Sequence, residues 1–211
     1  MQIFKTGFLI SVQPHKVSVL REEKMPLKLR NLDFRFENSR VMVIANRNHP
    51  EIKLAGLTLG PLTQGNEYEV HYWIAQELAK TGIAHFREDD ILDATKLYKV
   101  QWKERVQAAG QISELQEDFY PKLRRYLATM KEEIPKQPEK FAEHEKAKHL
   151  AWDIVNSRLK KILTLSSGPL QGEQIVNKLT NEEKLLFEQL GKIISQWRTQ
   201  ILEYQNEGQT T

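Results

Sequence analysis

Cysteine is absent from all 211 residues. Disulfides, iron–sulfur clusters and thiolate zinc sites are therefore excluded. The absence fits a reducing environment, and it also fits a heat-adapted protein, since thermophiles lose cysteine and gain lysine and glutamate. Long apolar runs are missing too. No stretch approaches the ~18 consecutive apolar residues that a membrane span requires. The opening MQIFKTGFLISV has a single early lysine, a short apolar stretch and no small-residue cleavage site, so it does not read as a secretory signal. The expected setting is soluble and cytoplasmic. Excess charge of one sign is slight. Lys and Arg number 31 against 28 Asp and Glu, for a net charge of +3, well short of the dense patch of a dedicated nucleic-acid binder. GxGxxG, GxxxxGK[ST] and GxSxG are all missing, so neither a phosphate loop nor a nucleophile elbow is present.

What remains is a chain that changes period part-way along. FLISV, KVSVL, LKLRNLDFRF, RVMVIAN and EIKLAGLTL carry β-branched and aromatic residues in near alternation and read as strands. Asn46 to Pro50, Gly60-Pro61 and Gly65-Asn66 read as turns. After Tyr68 the spacing becomes helical: Val70, Trp73, Ile74, Glu77 and Leu78 share a face, and Gly82 stands where a left-handed residue closes a helix. Trp73, Ile74 and Leu78 are expected to hold this unit together.

Helical periodicity dominates the rest. ILDATKLYKVQWKERVQAAG reads as a helix. Asp118 is placed to cap FYPKLRRYLATMKEE, with Pro121 tolerated in its first turn. KEEIPKQPEK is a break. Ala147, Leu150, Ala151, Ile154, Val155, Leu159, Ile162 and Leu163 form a wide apolar stripe. Thr180 and Glu183 make a capping box opening a last helix, which carries Leu186, Leu190, Ile193, Ile194, Trp197 and Ile201. The fold class is therefore α+β: a small N-terminal β-rich module with one short helix, then an all-α helical bundle. Its parts are an N-terminal extension with strands over 1–40, a β-rich module over 41–92, helices over 93–205 and a disordered tail over 206–211.

Catalytic candidates do not survive inspection. EHEKAKH resembles a zinc-protease helix, but His144 and His149 are five apart and lie about 140° from each other on a helix, where zinc needs a spacing of four. Glu88-Asp89-Asp90 is the densest carboxylate group and reads as a loop or helix start. No cofactor and no metal site is expected. Lys122, Arg124, Arg125, Arg158, Lys160 and Lys161 flank two helices and are candidates for phosphate contact; the competing reading is the wet side of amphipathic helices. The stripes, with Trp102, Trp152 and Trp197, are wider than one neighbour covers. A monomeric core and a subunit interface both account for them.

One combination of motifs is more specific. Leu59-Gly60-Pro61, Gly65, Glu69-Val70 and Trp73-Ile74-Ala75 with Leu78 resemble the small B domain of GINS subunits. Asp118-Phe119-Tyr120 with Arg125-Tyr126-Leu127, RLKKIL from Arg158 to Leu163, and LTNEEKLLFEQL resemble that family's helical domain, in the same order. The resemblance spans about residues 41–203 and implies the Psf-type archaeal class, in which the β domain comes first. It implies a non-enzymatic subunit of a four-chain assembly with a sister GINS subunit. That assembly links MCM helicase to a RecJ-like nuclease-family protein and contacts primase or DNA polymerase, with weak or indirect DNA contact, in the nucleoid of an archaeal cytoplasm. Phe119, Leu123, Tyr126, Leu127, Ile154, Leu159, Ile162 and Leu163 then serve core plus interface. The rival class is a stand-alone helical nucleic-acid-binding protein that uses the basic helix faces.

Overall fold

The computed structural model describes residues 25–54, 56–107, 111–168 and 173–202. The strands expected in FLISV and KVSVL and the tail expected over 206–211 lie outside the described residues.

The first element corrects an expectation. LKLRNLDFRF belongs to a helix, α1 (Met25–Glu37), and not to a strand. Its apolar residues alternate only in part. Leu29, Leu32 and Phe36 are also three and four apart, and the more buried residues of α1 follow that helical spacing. Asn38 and Ser39 end the helix by donating backbone N–H groups to Phe34 (3.1 Å) and Phe36 (3.0 Å).

β1 (Arg40–Ala45) is the centre of a three-stranded antiparallel sheet, between β4 (Glu67–His71) and β5 (Ala84–Phe86). Val43 stands opposite Tyr68 on one side and Phe86 on the other. The single strand expected in EIKLAGLTL is instead a hairpin of β2 (Ile52–Leu54) and β3 (Leu57–Leu59), with Leu54 opposite Leu57. Gly56 between them has φ +85°, a conformation that glycine adopts without strain, so the chain reverses where the apolar pattern runs on.

α2 (Tyr72–Lys80) lies on the three-stranded sheet and buries Ile74, Ala75 and Leu78. Gly82 N–H bonds Ala79 O (3.0 Å) and Ile83 N–H bonds Leu78 O (2.9 Å), the paired closure of a Schellman motif, with Gly82 at φ +68°. The core of this unit is Val43, Val70, Ile74, Ala75, Leu78 and Ala84, with Trp73 partly buried against it.

Beyond a 3₁₀ turn at Glu88–Asp90 come α3 (Ala94–Val106), α4 (Phe119–Glu133), α5 (Lys140–Ser167), the short α6 (Glu173–Val176) and α7 (Asn181–Leu202). Asp93 caps α3 by accepting the Lys96 N–H (2.7 Å). Asp118 precedes α4 as expected but makes no side-chain cap; it pairs instead with Lys122 at 2.8 Å. α5 is the axis and packs against α3, α4 and α7. One core gathers Leu97, Leu115, Phe119, Leu123, Ala147, Ala151 and Ile154. A second gathers Ile112, Ile162, Leu165 and Leu179, with Leu186, Phe187 and Leu190 against them.

Candidate interaction surface and the buried ion network

The buried side of α5 is Ala147, Ala151, Ile154, Arg158, Lys161, Ile162 and Leu165. The helical period therefore carries two cations into the interior. Arg158 is 0% exposed. Its Nη1 donates to Glu104 Oε1 (2.6 Å) and Ser113 O (2.8 Å), its Nη2 to Glu183 Oε2 (2.6 Å), and its Nε to Glu183 Oε1. Lys161 Nζ donates to Glu104 Oε2 (2.7 Å) and to the Glu104 carbonyl (2.8 Å). The Ser113 hydroxyl donates to Glu104 and the Tyr120 hydroxyl to Glu183 (2.7 Å). Glu183 also closes the capping box: it accepts the Thr180 N–H (3.1 Å), while Thr180 Oγ1 accepts the Glu183 N–H (3.3 Å).

Two carboxylates thus face two cations, and each buried charge is matched. Burial alone raises the Glu104 carboxyl, but hydrogen bonds from Lys161 and Ser113 and the nearby cationic charges outweigh it and hold it below the ordinary value. Burial lowers Arg158, and Glu183 and Glu104 more than offset it, so its charge is held firmly. Burial and the Glu183 carboxylate push Tyr120 upward, keeping it a neutral donor. The network joins α3, α5 and the start of α7, and its donors are occupied within the fold.

This placement revises the basic candidates. Arg158 and Lys161 lie inside the fold, because α3 and α7 cover that side of α5. Arg124 pairs with Asp33 (2.6 Å), Arg125 with Glu37 (2.9 Å) and Lys122 with Asp118. Lys160 alone of the six is exposed without an ion pair among the described residues. They form no common basic face. Among the apolar candidates, Phe119, Leu123, Ile154 and Ile162 are buried, and Tyr126 and Leu127 pack partly buried against them. Leu159 and Leu163 are exposed. Sequence reasoning missed Glu104, whose helical spacing from Leu97 and Gln101 was the available signal, and the second role of Glu183.

Leu159 and Leu163 do not stand alone. Trp152 (67% exposed), Val155, Leu159 and Leu163 run down one side of α5, three to four residues apart. On α7, Ile193, Trp197 (60% exposed) and Ile201 follow the same spacing into solvent. Contiguous exposed apolar residues of this size mark interaction sites. α3 exposes a third, shorter row of Tyr98, Trp102 and Val106.

Among the described residues no helix is long and apolar enough to cross a membrane, and no group of three or more His, Asp or Glu has metal-site geometry. Compared with known proteins, residues 91–202 match the family model Sld5, described as the GINS complex protein helical bundle domain. No protein of curated function matches the chain. The matched stretch is more than half of the chain and takes in α3 to α7, the helices that hold the ion network and the exposed rows. The chain belongs to the GINS family of replication-complex subunits.

Proposed function

We propose that this chain is a non-catalytic scaffold subunit of the archaeal, β-domain-first class, and that it assembles with a sister GINS subunit through the exposed rows of α5 and α7. The observation that carries the assembly reading is the line of Trp152, Val155, Leu159 and Leu163, four large apolar side chains left bare on the longest helix. Covering them removes apolar surface worth about 25 cal/mol per Å² from water. On this reading the β unit, whose own core is closed by α2, presents a folded surface to larger partners: MCM helicase, a RecJ-like nuclease-family protein, and primase or DNA polymerase. The order of the two parts and the motif set from Leu59 to Leu78 support the class.

The test is co-expression with a sister subunit and measurement of mass in solution by light scattering. The wild-type chain is expected to elute in a hetero-oligomer, and alone to self-associate. Trp152→Asp and Leu159→Asp are expected to break the assembly while far-ultraviolet circular dichroism stays unchanged, because both positions face solvent. Assembly that survives both substitutions would sink the proposed face. Retention of recombinant MCM by the assembled complex, lost on deleting the β unit, tests the docking role.

A further inference from the structure

We infer that the outward side of α3 is a short platform for single-stranded nucleic acid, separate from the subunit contact. Tyr98, Trp102 and Val106 lie four residues apart and are exposed, the two aromatics at 56% and 57%. The same helix carries Lys99, Lys103 and Arg105, none with an ion-pair partner among the described residues. Its single acid, Glu104, is buried and held by Arg158 and Lys161. The exposed side of α3 thus offers aromatic faces rimmed by cations and no carboxylate of its own. Bare aromatic faces stack bases without regard to sequence, and flanking cations track the phosphates.

Geometry separates this row from the one on α5. Asp153, Arg158 and Lys161, the α5 residues that bond α3, lie roughly 100–160° around α5 from Leu159 at 3.6 residues per turn. A subunit seated on the α5 row leaves α3 free. The α3 row is also short, about 12 Å from Tyr98 to Val106 at 1.5 Å per residue. That is small for a stable protein contact, which buries about 800 Å² per partner, yet long enough for two stacked bases. Lys99 and Lys103 also line a groove of about 440 Å³ that holds Asp89, Asp90 and Glu114. Those acids weaken their pull on phosphate and leave Arg105 as the strongest contact.

The experiment titrates a fluorescein-labelled dT20 oligonucleotide with the full chain and reads anisotropy at rising salt. Micromolar binding at low salt is expected, with a log–log salt slope near −2, since each phosphate contact contributes about 0.7 on single strands. Trp102→Ala should weaken binding roughly tenfold, from the loss of one stacked base. Arg105→Gln should flatten the slope by about 0.7. Both variants should melt with the wild type. Lys53→Gln, which removes an exposed cation from β2, far along the chain from α3, should bind as wild type. The inference is overturned if dT20 does not bind at low salt, or if Trp102→Ala binds as tightly as wild type. It is equally overturned if an acidic peptide of matched charge competes as well as unlabelled dT20, which would make the row a protein contact.

Discussion

The β unit and the helical region solve the same packing problem with opposite materials. The core of the β unit is wholly apolar, from Val43 to Ala84, and strand pairing satisfies its buried backbone. The helical region places Glu104, Arg158, Lys161 and Glu183 between two apolar clusters. The difference follows from connectivity. A β unit is in register once its neighbouring strands pair. α3, α5 and α7 are held by no such ladder: Arg158 meets partners 54 and 25 positions away in sequence. A hydrogen-bonded ion cluster sets their rotation and slide in a way that interchangeable leucines do not.

The largest expected effect comes from breaking that cluster. Arg158→Met leaves two carboxylates facing Lys161 alone and should cost about 3–5 kcal/mol in urea denaturation. Arg158→Met combined with Glu183→Gln should recover much of the loss, because the Glu104–Lys161 pair that remains is matched. No recovery in the double variant would mean that packing, not charge matching, holds the site. In the β unit Ile74→Ala should cost about 3 kcal/mol, as cavity-forming substitutions do, and no compensating charge change should exist.

Acid separates the two regions further. Glu104 is held below its ordinary value of 4.5. Its contribution is present above the unfolded value and is lost as pH falls through the folded one. Stability of the helical region should therefore decline below about pH 4.5, a decline that Glu104→Gln removes. The β unit core contains no titrating group and should not share it. Amide signals of Val43 and Ile74, followed beside those of Ile154 and Ile162, distinguish the two. Thr180→Ala should cost less, about 1 kcal/mol for the cap, with a larger loss if the released Glu183 also loosens Arg158.

How much of this was legible beforehand depends on what kind of interaction decided each residue. The capping box of Thr180 and Glu183, the closure at Gly82 and the α4 start at Pro121 are local, and the sequence carries them. The α5 stripe is visible in the sequence as core plus interface, but the pattern does not say which residue serves which. Structure divides it: Ala147, Ala151, Ile154 and Ile162 turn inward, while Val155, Leu159 and Leu163 turn outward. Arg158 lies in phase with the inward set, and its charge disguised it as wet surface. Its partners are distant in sequence, so no local pattern announces the pairing. α1 was misread because Leu27, Leu29, Phe34 and Phe36 satisfy alternation, whereas Leu29, Leu32 and Phe36 satisfy the helix; packing against α2 and α7 decided between them.

The smallest effect lies at the boundary of the two regions and bears on whether they act as one. Arg125, on α4, donates to Glu37 (2.9 Å) and to Pro121 O (3.1 Å), with its guanidinium 4.7 Å from the Phe36 ring centre and 5.2 Å from that of Tyr72. Phe36 belongs to α1, and Tyr72 opens α2 and stacks on toward Phe86. One planar cation therefore ties the helical region to the β unit through aromatic faces. Lysine keeps the charge but not the fork or the flat stacking surface. Arg125→Lys should change total stability by about 1 kcal/mol or less, the usual range for partly exposed pairs and cation–π contacts. Its larger signature should be a loss of coupling: calorimetry should resolve two transitions where the wild type shows one, and added salt should widen the gap. A single transition of unchanged width in Arg125→Lys would mean that α1 and the chain between β5 and α3 are enough to make the two unlike cores fold together.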